Sequence, residues 1–144
     1  MFTKKNIIIN LFIIFFSANF SFAQLTQTEA NATIENFFSL CKKGDFHNSA
    51  KLLIYFGQDK VRLYKDFFNP DNPDEFKEVK RICKKVNATL LISDSYTIGK
   101  LRKLKFNGET VQGVNVLFKS GKQKIRKRIL LKKINDKTGI LDYS

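Results

Sequence analysis

From Val114 to Lys133 the chain reads V-N-V-L-F-K-S-G-K-Q-K-I-R-K-R-I-L-L-K-K, and the parity of that run limits what the rest can be. It predicts two β-strands folded about Ser120-Gly121. Val114, Val116 and Phe118 fall on one side of the first arm. Ile125, Ile129 and Leu131 share a side of the second arm with Lys127. Opposite them stand Lys122, Lys124, Arg126, Arg128 and Lys132, with Leu130 the one apolar residue in that set. Side chains alternate faces along a strand, so the hairpin has one apolar and one cationic face. The apolar face must be buried, and the only covering elements are those earlier in the chain.

Those earlier segments read as helices. Thr26 and Glu29 have the spacing of a capping box, and Ile34, Phe37, Phe38 and Cys41 recur on one helical face, predicting a helix over Gln24–Lys43. Gly44 suits a left-handed cap and Asp45 a second N-cap, predicting a helix from Phe46 to about Phe56. Residues 57–72 are irregular. Asn72-Pro73-Asp74-Glu75 then opens a third helix, expected to end near Lys85, with Phe76, Val79, Cys83 and Val86 along one side. Beyond Asn87 the period becomes strand-like. The sheet is expected to begin around Thr89–Ser93 and to continue as a long strand, Tyr96–Phe106, broken near Gly99. Asn107-Gly108 is a strong hairpin turn. Strands over Thr110–Lys119, Lys122–Ile134 and Gly139–Tyr143 follow. The expected fold class is α+β, with N-terminal helices packed on a curved antiparallel sheet.

Lys4 and Lys5, the apolar run Ile7–Phe16, and the small residues Ser21 and Ala23 have the form of a secretory signal peptide cut between Ala23 and Gln24. Residues 1–23 are thus read as leader and 24–144 as one domain, exported to a periplasmic or extracellular space, with no transmembrane span after cleavage. Removing the leader takes two lysines and no acid from the formal charge of +13, leaving +11. Export argues against nucleic acid and points to an anionic envelope component as a charge-driven partner. The lysine excess, beside many Asn, Ile and Phe, is also what an A- and T-rich codon usage produces.

The segments F-F-S-L-C-K-K-G-D-F at 37–46, S-A-K-L-L at 49–53 and V-N-V-L-F-K-S-G-K at 114–122 resemble the nuclear transport factor 2-like superfamily, the cystatin-like α+β roll. Y-F-G-Q-D-K-V-R-L-Y-K-D at 55–66 is similar to a segment of small exported bacterial members of unknown role. The chain departs from the pattern at Ile140, where a tryptophan often stands. The resemblance implies a roll with a cavity between helices and sheet. Since members include enzymes, ligand binders and accessory domains, it implies no activity.

No catalytic or metal-ligating set is legible. His47 stands alone at a helix start, Asp45 has a capping role, and Asp59, Asp66, Asp94 and Asp136 fall near turns. No cofactor motif is present. Cys41 and Cys83 lie on apolar helix stripes, and either a disulfide or two buried thiols fits that placement. Three functional readings remain. In the first, a non-catalytic binding or accessory domain holds an apolar small molecule in a cavity lined by Phe38, Tyr55, Phe67, Tyr96 and Phe118. In the second, the cationic sheet face, with Lys103 and Lys105 joining the five cations above, meets anionic polymers or membrane headgroups. In the third, a small enzyme uses a cavity acid such as Asp45 or Asp59.

Overall fold

The computed structural model describes Gln24–Ser144, so the leader expected at 1–23 lies outside the described residues. The order is α1 (Gln27–Lys43), α2 (Phe46–Ala50), α3 (Pro73–Leu91), then β1 (Ser95–Ile98), β2 (Arg102–Phe106), β3 (Glu109–Ser120), β4 (Gln123–Ile134) and β5 (Lys137–Tyr143). All pairings are antiparallel. β3 is central, β4 and β5 follow on one side, and β1 and β2 lie end to end on the other. The fold is α+β, with helices packed against a curled antiparallel sheet.

Local chemistry sets the helix ends. Thr26 and Glu29 form the capping box, and Gly44 closes α1 at φ 72°. Asp45 caps α2, and Asn72 with Pro73 opens α3. Two boundaries differ from expectation. α2 ends at Ala50, because Leu53 and Ile54 pair with Ile140 and Phe67 as short bridges; all of Leu53, Ile54 and Tyr55 are buried. α3 runs to Leu91, six residues past Lys85, because Leu90 extends the stripe Val79, Ile82, Cys83 and Val86 into the core. The sheet therefore begins at Ser95.

The strand predicted over Tyr96–Phe106 is two strands. At the break the Gly99 amide donates to the Asn115 carbonyl at 2.8 Å, and a Cβ on Gly99 would stand 2.8 Å from that same oxygen. The Gln27 side chain of α1 fills the gap, accepting from Leu101 N at 2.7 Å and donating to the Gly99 carbonyl at 3.2 Å.

Two cores lie on opposite faces of the sheet. On the inner face Val114, Val116, Phe118, Ile129 and Leu131 meet Ile34, Phe37, Phe38, Val79 and Val86 of the helices. Cys41 and Cys83, both buried here, form a disulfide with Cα atoms 4.8 Å apart. On the outer face Val111, Leu130 and the bulged Leu141 meet Ile54, Tyr64 and Phe67. Residues 54–68 thus fold round the β5 edge and cover one end of that face. Gly139 lets them seat, since a Cβ there would stand 2.6 Å from Phe67 and 2.7 Å from Ile54. The start of the described chain is also tied down: Leu25 is buried, its amide donates to Gln112 Oε1 at 2.9 Å, and its carbonyl accepts from Gln112 Nε2 at 3.1 Å. Residues 24–144 therefore close their own core, disulfide and N-terminal clamp.

Candidate functional site

The five aromatic candidates do not line one space. Phe38, Tyr96 and Phe118 come together, with ring centroids 5.3 Å apart for Phe38 and Tyr96, and 5.9 Å for Phe38 and Phe118. Tyr143 joins them at 6.5 Å from Phe38. They fill space by packing on one another, Phe38 edge to face with Tyr96 and Tyr143 and tilted against Phe118. Tyr55 packs on Phe68 at 5.4 Å, and its hydroxyl accepts from the Asp59 amide at 3.1 Å. Phe67 belongs to the outer-face core, across the sheet from Phe38, because residues 54–68 wrap the β5 edge.

Asp45, Asp59 and Asp94 hold structure. Asp45 accepts from the Asn48 amide at 3.2 Å, Asp59 from Val61 N at 3.0 Å, and Asp94 from Gly121 N at 2.7 Å. Among the described residues no group of three or more His, Cys, Asp or Glu side chains is placed to hold a metal.

One charged cluster escaped the sequence reading. Arg62 donates to Asp66 at 2.9 Å, to Glu75 at 3.2 Å and to the Phe67 carbonyl at 2.9 Å, and its guanidinium lies 4.3 Å over the Tyr55 ring. The Arg62 bond holds the Asp66 carboxyl below its usual range. Burial pushes Glu75 up, but bonds from Arg62 and from the Asn69 amide outweigh it and leave the group below its ordinary 4.5. This node ties residues 55–68 to the start of α3. Arg62 and Glu75 lie 13 positions apart, with an irregular stretch between them in which no periodicity links the two.

The cations sort by strand parity. On the outer face Ser95, Lys119 and Lys124 form one row across β1, β3 and β4; Thr97, Leu117 and Arg126 form the next; Asn115 and Arg128 form a third. Arg102 lies opposite Gly113 on the same face. Lys119, Lys124, Arg126, Arg128 and Arg102 are all exposed, and Lys122 stands in the β3–β4 turn. Asp142 lies 3.8 Å from Arg128, and the Asp94 carboxylate is bonded at the β3–β4 turn. An open depression of about 540 Å³ lies between Lys100, Arg102, Lys119 and Arg126, over Thr97, Asn115 and Leu117. It sits where β1 and β2 part.

Three of the cations expected on this face fall outside its bare half. Lys132 has the right parity, but its Nζ donates to the Tyr64 carbonyl at 2.9 Å under the covering segment. Lys103 and Lys105 stand opposite Gln112 and Thr110, on the inner parity, and Lys105 donates to Thr110 Oγ1 at 2.7 Å. A second groove, about 310 Å³, runs along the β5 edge between α3 and residues 53–64, and its Arg81 is tied to Glu78.

No family model matches the chain, and no curated protein matches it. Among solved structures it is similar to the β subunit of the benzoate 1,2-dioxygenase from Burkholderia mallei, with 11% identity, a TM-score of 0.38, and coverage of 84% of this chain and 89% of that one.

Proposed function

We propose that the chain is an exported, non-catalytic binding domain that works through the bare half of its outer sheet face, with an anionic component of the cell envelope as partner. The observation that carries this reading is the sorting of charge. Exposed lysines also stand on α1 and α3, but Lys119, Lys124, Arg126, Arg128 and Arg102 share one uncovered sheet face, with Asp142 3.8 Å from Arg128. Same-side positions repeat every ~6.6 Å along a strand, a spacing that meets several anionic groups at once. The leader-like residues 1–23 and the buried Cys41–Cys83 bridge support export, since such bridges persist in oxidising compartments. The resemblance to the α+β roll agrees with the layout and leaves the activity open.

Retention on immobilised dextran sulfate tests the reading. Arg126→Glu with Arg128→Glu is expected to elute at much lower salt than the wild type. Lys77→Glu with Lys84→Glu, the same charge change on exposed positions of α3, is expected to shift elution little. Equal shifts in the two variants would show that only net charge matters and overturn the reading.

A further inference from the structure

At one end of the bare face an apolar tip joins the cations. α3 ends at Leu91, one residue past the last position that packs into the core. Leu90 packs inward, but Leu91 is 72% exposed and Ile92, the first residue after the helix, 59%; Tyr96, the second residue of β1, is 37% exposed. Single exposed apolar side chains are ordinary, but adjacent ones beside a charged rim mark an interaction surface. The backbone fixes where this tip sits. The Asp94 amide donates to the Lys119 carbonyl at 2.7 Å, and Gly121 N donates back to Asp94 Oδ2 at 2.7 Å. Leu91 and Ile92 are therefore held within three residues of the β3–β4 turn that carries Lys119, Lys122 and Lys124. The Asp94 carboxylate at that point is already engaged by the turn.

We infer that this end docks on an anionic lipid bilayer, with Leu91 and Ile92 entering the interfacial layer while Lys119, Lys122, Lys124, Arg126 and Arg128 meet headgroup phosphates. The inference rests on the reading of the bare face as an anion-binding surface and adds the identity of the anion. A dissolved polyanion satisfies the cations but has no use for Leu91 and Ile92; a bilayer satisfies both, apolar side chains below and charge at headgroup level. A second copy of the chain fails on charge, because pairing two such tips sets like cations against one another.

The test uses residues 24–144, free of the apolar leader, in vesicle flotation. Vesicles contain either phosphatidylcholine alone or phosphatidylcholine with about a third phosphatidylglycerol, at ~0.05 M and ~0.5 M salt. Dextran sulfate binding is measured in parallel. The wild type is expected to float with the anionic vesicles at low salt and not with the neutral ones. Leu91→Ser with Ile92→Ser, at exposed positions where melting should be unchanged, is expected to lose about tenfold in vesicle affinity while keeping its dextran sulfate binding. Arg126→Glu with Arg128→Glu loses both. If the serine variant floats like the wild type, or the wild type binds dextran sulfate but no vesicle, bilayer docking is overturned and the anion-binding reading stands. If the wild type binds neither, both fall.

Discussion

Lys119 and Lys124 stand directly opposite one another across the β3–β4 hairpin, both on the outer face and both exposed. Like charges in that position destabilise a sheet by roughly 0.2–1 kcal/mol, and salt screens the effect. A face selected for stability alone would place an acid at one of the two. Lys124→Glu is therefore expected to raise the melting temperature by ~1–4 °C at low salt, with the gain shrinking as salt is added. The same variant is expected to weaken retention on dextran sulfate. Thermal melts and elution salt on one sample check both halves, and a variant that melts lower contradicts the account of this pair.

The Arg62–Glu75 pair contributes to the acid limb of stability. Glu75 and Asp66 both titrate below their ordinary values in the folded chain, so at acid pH the unfolded chain binds more protons. Their stabilisation is complete above the ordinary carboxylate range and is lost as pH falls through the folded values. Glu75→Gln removes one charged partner from a pair whose Glu75 side chain is only 10% exposed. The expected loss is roughly 2 kcal/mol at neutral pH, with a flatter melting curve between about pH 5 and pH 3 than the wild type shows. Parallel curves for the two proteins would count against the assignment.

Helix starts, the two-faced hairpin and the Asn107-Gly108 turn were legible because each rests on chemistry within a few residues. Asn107 and Gly108 take φ 49° and 80°, as that turn type demands. The covering segment was not legible. Leu52 to Phe56 is a continuous apolar run, which fits a helix end and a strand buried on both sides equally well. What decides between them is Gly139, some 85 positions away, whose missing side chain makes room for Phe67 and Ile54. Lys132 was misplaced on the open face for the same reason, since parity says which face a residue takes and not what lies over it. The bare half of the face, with Arg126 and Arg128, needed only parity and was legible from the start.

The Cys41–Cys83 bridge joins α1 to α3 across a sequence separation of 42. A loop of that size corresponds to about 4 kcal/mol in the chain-entropy account. Cys41→Ala with Cys83→Ala is expected to lower the melting temperature by roughly 15 °C. Both sulfurs are buried, so in the folded protein the bridge is expected to resist dithiothreitol until the helices part. Thiol labelling against time in native buffer and in mild urea measures this; equally fast reduction in both would mean that the bridge is reached without opening.

The clamp of Gln112 on Leu25 bears on the proposed cleavage between Ala23 and Gln24. Both backbone groups of Leu25 are bonded by the one side-chain amide, from a strand position opposite Leu131 on the inner face of the sheet. A cut between Ala23 and Gln24 leaves this clamp whole, whereas a cut two bonds later removes it. Gln112→Ala leaves the two Leu25 groups to water and costs about 1–2 kcal/mol locally. Hydrogen exchange at the Leu25 and Ala30 amides separates that local loss from global unfolding: Leu25 protection should vanish while Ala30, donating to Thr26 within α1, stays protected. On the proposal that residues 1–23 are a leader, the intact mass of the chain recovered from its host should match a start at Gln24, and a mature form lacking Leu25 would show that the clamp is no part of the working protein.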